Sequence, residues 1–87
     1  MRYRRNEQVT VTTVDDGSFL VEPETQDIFY LDAVSAGVWS ALAEPTSLPD
    51  LQALVADAFP ETPRATIDAD IDVLVKDMVE RKLIASE

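Results

Sequence analysis

The chain has no cysteine and no histidine, and only two glycines. Without cysteine there is no disulfide, and no thiolate to serve as nucleophile or metal ligand. Without histidine the commonest general base and the commonest transition-metal ligand are also missing. Gly17 and Gly37 alone cannot build a glycine-rich phosphate loop. No apolar run approaches the roughly 20 residues of a membrane span, and no signal-peptide pattern opens the chain, so a cytoplasmic protein is the expectation. Positive charge is confined to the two ends. Arg2, Arg4 and Arg5 lie at the start, and Arg64, Lys76, Arg81 and Lys82 lie in the last third. Between Asn6 and Pro63 there is no lysine or arginine, while 11 of the 17 acids fall there. With a net charge of −10, such a surface repels phosphate backbones and anionic lipid and steers a basic partner. The same charge also serves simply to keep a small protein soluble.

What is present fits one small domain over residues 1–87, with a thin stability margin, since a chain this short buries only roughly 60–65% of its unfolded surface. Residues 1–7 are polar and basic and are expected to fray. Gln8–Val14 alternates valine with threonine and predicts a strand. Asp15–Ser18 predicts a turn, Phe19–Glu22 a second strand, and Pro23–Thr25 a second turn, because proline cannot donate to a ladder. Gln26–Leu31 is the third strand, and it runs straight into a helix. Asp32 is placed to cap that helix, whose stripe is Val34, Val38, Trp39 and Leu42. The helix spans about 33–43 and stops at Pro45.

Ser47 caps a second helix, with Asp50 in its first turn and Leu51, Leu54, Val55, Ala58 and Phe59 on its apolar face. A third helix covers about 64–82, with Ile67, Ile71, Leu74, Val75, Met78 and Val79 in one arc. Leu83 and Ile84 leave it as a short apolar tail. Strands first and helices after is the α+β pattern, with a three-stranded antiparallel sheet covered on one face by a three-helix bundle. The third strand breaks the alternation of a half-solvated sheet. If Phe29 and Leu31 point to the helices, Ile28 and Tyr30 point away. Those two either contact neighbouring strand residues such as Leu20 or await something outside the chain.

Several chemistries can be weighed on spacing. Asp68, Asp70 and Asp72 alternate like the opening of a calcium loop, but the sixth and twelfth positions are Val73 and Val79, not glycine and glutamate. They read as a solvated helix face. Ser35, Ser40 and Ser47 have no histidine to activate them. The many carboxylates fall in turns, caps and polar faces, without the desolvating pocket that tunes an acid–base pair. No enzyme activity, metal or cofactor is expected. Three helices beside a small sheet also suit a winged-helix DNA reader, but the third helix carries Asp68, Asp70, Asp72, Asp77 and Glu80 where a recognition helix carries basic or amide side chains. A homodimeric adaptor pairing its own edge strands is a further alternative.

The order Phe19-Leu20-Val21, a turn, Ile28-Phe29-Tyr30-Leu31-Asp32, then Ala36-Gly37-Val38-Trp39 with Leu42, resembles the PqqD-like family. Its members are RiPP recognition elements, which bind the leader segment of a ribosomally made precursor peptide. An acidic second helix with Leu51 and Leu54, and Asp72-Val73-Leu74 on a third helix ending near Leu83-Ile84, extend the resemblance over about Val9 to Ile84. The motifs are diffuse. The family more often has asparagine at the cap where this chain has Asp32, and Pro45 stands where many relatives have glycine.

The resemblance implies a winged-helix-like fold and a non-catalytic role as a peptide-binding chaperone. It also implies that the leader adds as a strand beside Asp27, Ile28, Phe29, Tyr30 and Leu31, in a groove closed by the third helix. Strand addition satisfies the unpaired main-chain groups of a sheet edge. On the third helix, Asp70, Leu74, Asp77 and Arg81 form one flank of the core arc. Asp72, Lys76 and Val79 form the other, and Val73 lies nearly opposite the core. The first flank with Val73 is the favoured groove wall, and the sequence leaves the choice of flank open. The implied partners are a precursor leader peptide and a separate enzyme, either a leader protease, as in lasso-peptide pathways, or a radical SAM enzyme, as in quinone-cofactor biosynthesis.

Overall fold

A computed structural model of the chain describes residues 1–15 and 17–87; Asp16, part of the expected Asp15–Ser18 turn, lies outside the described residues. The elements run β1 (Tyr3–Arg5), β2 (Thr10–Val14), β3 (Gly17–Val21), β4 (Ile28–Leu31), α1 (Ala33–Ala41), α2 (Leu48–Ala58), α3 (Arg64–Glu80) and β5 (Ile84–Ser86). Strands β2, β3 and β4 form an antiparallel sheet in that order, so the α+β arrangement of a three-stranded sheet followed by three helices holds. The expected third strand is β4, shorter than Gln26–Leu31 because Gln26 adopts a left-handed φ of 61°. Gly17 opens β3 instead of sitting in the turn. Its φ is +149°, and a Cβ there would come within 2.8 Å of the Tyr30 hydroxyl, so glycine lets the Tyr30 ring lie across the start of β3.

The register decides the faces. Leu20 stands opposite Phe29, Phe19 opposite Tyr30, and Val21 opposite Ile28. Leu20 and Leu31 are buried in the core with Phe29 packed against them, whereas Ile28 and Tyr30 are exposed. The neighbours of Ile28 and Tyr30 on their own face are therefore Val21 and Phe19, and Leu20 is on the other side. Glu22 is buried and tightens the turn into β4, its carboxylate accepting from the Thr25 N–H at 2.7 Å and the Thr25 hydroxyl at 3.1 Å.

Helix α1 starts on Asp32, whose carboxylate accepts from the Ser35 N–H at 2.8 Å while the Ser35 hydroxyl accepts from the Asp32 N–H at 2.8 Å. This reciprocal cap satisfies two of the donors that a helix start leaves open. Val38, Trp39 and Leu42 then bury, as do Leu51 and Val55 of α2 and Ile67, Ile71, Val75 and Met78 of α3. Burial of each such side chain stabilises the fold by about 1.5–3 kcal/mol. Leu54 departs from its expected core place and is half exposed. No helix among the described residues is long and apolar enough to cross a membrane.

The ends of the chain correct the sequence expectation. Residues 3–5 do not fray. They form β1, which pairs antiparallel with β5, with Tyr3 opposite Ser86 and Arg5 opposite Ile84. Tyr3 also exchanges main-chain bonds with Thr46 at 2.8 and 3.0 Å. Arg5 lies over the Trp39 ring, 4.6 Å from its centroid, and donates from Nε to the Trp39 carbonyl at 2.9 Å. Leu83 and Ile84 are not a loose tail, being fully buried. Lys82 takes a φ of 62°, its N–H bonds to the Val79 carbonyl, and the Leu83 N–H reaches back to the Met78 carbonyl. That paired closure ends α3 and turns the chain into β5.

Candidate functional site

The site begins with an antiparallel rule. In register with the Val21–Ile28 pair, the Glu22 N–H bonds to the Asp27 carbonyl at 3.1 Å. Hydrogen-bonded pairs alternate along such a ladder, so Phe29 and Leu31 turn their main-chain groups to β3. Ile28 and Tyr30 turn theirs to the outer side, and among the described residues no strand lies there. β4 is thus an edge strand. Its apolar exposed side chains, Ile28 and Tyr30, are 65% and 57% accessible, and they lack the charges or prolines that blunt most edges.

Where β4 passes into α1 lies a cleft of about 680 Å³, and none of Ile28, Phe29, Tyr30 or Leu31 is among its lining residues. One wall is the β4–α1 junction, with Asp32 and Val34. The other is α3, with Asp70, Val73, Leu74, Lys76, Asp77 and Glu80. At the far end of the helix the Arg81 guanidinium lies over the Phe29 ring, 5.6 Å from its centroid, while Nε donates to Asp77 Oδ1 at 3.1 Å. α3 therefore runs alongside β4 with its C-terminal end at Phe29 and its middle facing the α1 start.

The structure brings the favoured flank together. Asp70, Val73, Leu74 and Asp77 line the cleft, whereas Arg81 lies outside the lining, held between Asp77 and the Phe29 ring. Asp27 is exposed and precedes β4 rather than lying within it. Of the opposite flank, Lys76 also reaches the cleft. Val79 instead lines a second hollow with Met1, Tyr3 and Ser86, and Lys76 and Glu80 stand between the two, lining both. Asp32, Val34, Lys76 and Glu80 are the lining residues that the sequence reading did not select. In the sequence Asp32 and Val34 read as a cap and part of a core stripe, and no spacing rule shows that a helix start also walls a cleft. Val34 is only half-buried, consistent with that double duty.

The charges are arranged simply. Lys76 Nζ is 3.0 Å from Asp72 Oδ2, and Arg64 Nε is 2.8 Å from Asp68 Oδ1, each one turn along the helix. Of the aspartates that mimic a calcium loop, Asp68 and Asp72 are each paired one turn along the helix, while Asp70 lines the cleft. Among the described residues no group of three or more His, Cys, Asp or Glu is gathered to hold a metal ion. Hydrogen bonds from the Ser35 N–H and then the Ser35 hydroxyl hold the Asp32 carboxyl below its ordinary range, with burial opposing them. Asp32 is therefore an anion at neutral pH, committed to the helix start. The arrangement can hold an extended chain by its main-chain groups and accept alternate side chains in an apolar-floored, acidic cleft.

The family described as coenzyme PQQ synthesis protein D (PqqD) matches residues 17–84. No curated protein matches the chain. Among solved structures, TbiB1 in complex with the TbiA(beta) leader peptide is 21% identical, with 97% of this chain and 96% of that one covered and a TM-score of 0.81. Lasso peptide synthetase B1 complexed with the leader peptide is 20% identical, with 99% and 100% covered and a TM-score of 0.81. The solution structure of the PqqD truncation of Methylobacterium extorquens PqqCD, a stand-alone RiPP recognition element, is 16% identical, with 98% and 89% covered and a TM-score of 0.75. At these identities the likeness is one of fold.

Proposed function

This chain belongs to the PqqD family, and on that premise we propose that it is a non-catalytic module that captures the leader segment of a ribosomally synthesised precursor peptide. The leader adds as a fourth strand along the outer side of β4, with α3 as the facing wall. The module then presents the held precursor to a separate modifying enzyme or leader protease. The observation that carries this reading is an edge strand with exposed Ile28 that leads into a cleft walled by the α1 start and α3. Two similar structures, TbiB1 and a lasso peptide synthetase B1, are complexes with leader peptides, which supports the same occupant here.

The physical mechanism needs no bond-making. A guest strand exchanges main-chain hydrogen bonds with the edge, and its alternate side chains enter the cleft, where shape and charge discriminate. The groove residues in this reading are Asp27, Ile28, Phe29, Tyr30 and Leu31 on the strand side, and Asp70, Val73, Leu74, Asp77 and Arg81 on the helix side. The test is titration of the labelled protein with a synthetic leader peptide. Amide resonances from Asp27 to Leu31 should shift. Ile28→Asp and Tyr30→Asp should each weaken binding by about tenfold or more while leaving the fold intact, because both side chains are exposed. Unchanged affinity in both variants refutes the strand-addition site.

A further inference from the structure

We infer that the guest is a cationic strand, with lysine or arginine side chains facing Asp70 and Glu80 and an apolar side chain between them over Val34, Val73 and Leu74. This inference rests on strand addition at β4 and names the chemical class of peptide that the same groove takes.

The cleft lining holds four carboxylates, Asp32, Asp70, Asp77 and Glu80, against one cation, Lys76. Three of these five charges are already engaged. Asp32 caps α1, Asp77 pairs with Arg81, and Lys76 is paired with Asp72 outside the lining. Among the described residues neither Asp70 nor Glu80 forms an ion pair, and both are exposed. Between them Val73 stands 67% exposed and Leu74 is half-buried, so an apolar step separates two open negative charges.

The spacing matches a strand. The ten helical steps from Asp70 to Glu80 span about 15 Å. In an added strand every second side chain faces α3, about 6.8 Å apart, so positions i, i+2 and i+4 cover about 14 Å. Long basic side chains at i and i+4 span the remainder, and the residue at i+2 falls over Val73 and Leu74. An acidic guest would instead place like charges beside Asp70 and Glu80 without a compensating cation, since Lys76 and Arg81 are taken. The stretch from Asn6 to Pro63 adds no positive charge to offset this field.

The probe is a displayed library of 12-residue peptides randomised at every position. Enriched peptides should carry Lys or Arg four apart with an apolar residue midway. For the strongest of them, Asp70→Asn with Glu80→Gln should lower affinity about three- to tenfold, the scale of two exposed ion pairs. Raising salt from about 0.05 to about 0.5 M should give a similar loss, because the pairs are screened. Glu44→Gln with Glu61→Gln removes the same net charge from exposed loops and should change affinity less than twofold. Selected peptides that shift the Ile28 amide but show no basic bias, or equal losses in the two double variants, overturn charge selection and leave strand capture standing. Selected peptides that bind without shifting Ile28 or Phe29 amides overturn both.

Discussion

Replacing guest N–H groups one at a time by N–CH3 separates strand addition from other ways of filling the cleft. Ile28 offers one N–H and one C=O to the outer side of β4, as the Glu22–Asp27 bond in register with the Val21–Ile28 pair requires. A guest residue opposite Ile28 exchanges two hydrogen bonds with it, each worth a net of about 0.5–1.5 kcal/mol. A methyl on that guest nitrogen removes one bond outright. It also stands between chains that should lie about 4.8 Å apart, which stretches the second. The combined cost is about 1–3 kcal/mol, or about 5- to 150-fold in affinity. One residue along, the guest N–H points away from β4, and the same methyl should change affinity by no more than about threefold. Fluorescence anisotropy over a complete N-methyl scan of a bound leader peptide should therefore show losses at every second position over the stretch facing β4. A flat profile, or a period of three to four residues as for a helical guest, refutes the reasoning.

The chain ends supply a stability prediction. Arg5→Ala removes a charged hydrogen bond to the Trp39 carbonyl and a guanidinium stacked on its ring, for about 2 kcal/mol in all, or a fall of roughly 10 °C in thermal midpoint. Leader affinity at saturating folded protein should not change, because neither residue lines the cleft, and calorimetry with a binding titration reads both. The Asp32 cap supplies a pH dependence. Asp32→Ala should cost about 1 kcal/mol at neutral pH in urea denaturation. Because the folded carboxyl is held below its unfolded value, its contribution is complete above the unfolded value near pH 4 and is lost as pH falls through the lower folded value. The stability gap between wild type and the variant should therefore close on acidification below about pH 4; a gap that is constant with pH removes the ionised cap as its cause.

Much of the fold was legible in the sequence because the elements are locally consistent. Pro23, Pro45, Pro60 and Pro63 mark the breaks, Asp32 and Ser47 stand at helix starts, and Val38, Trp39, Leu51, Ile67 and Ile71 fall on single faces that the structure buries. The exposed side of β4 was also legible, since Ile28 and Tyr30 break the alternation of a half-wet sheet. The chain ends were not. Met1–Glu7 is polar, and β1 exists only because β5 and Thr46, far away in sequence, meet its main chain. The closure after α3 was hidden for a different reason. The left-handed position usually given to glycine is held by Lys82, so no punctuation announces the turn to Leu83.

Periodicity alone could not choose between the two flanks of α3, because both border the same core arc at the same spacing. Packing places Asp70, Leu74 and Asp77 of one flank in the cleft together with Lys76 of the other, while Val79 lines the hollow at the termini. By itself the sequence determined the three strands of the main sheet, the three helices and the Asp32 cap, which depend on neighbours a few residues apart. Only the tertiary structure decided which side chains share a groove, because that depends on how a strand and a helix some 40 residues apart are rotated against one core.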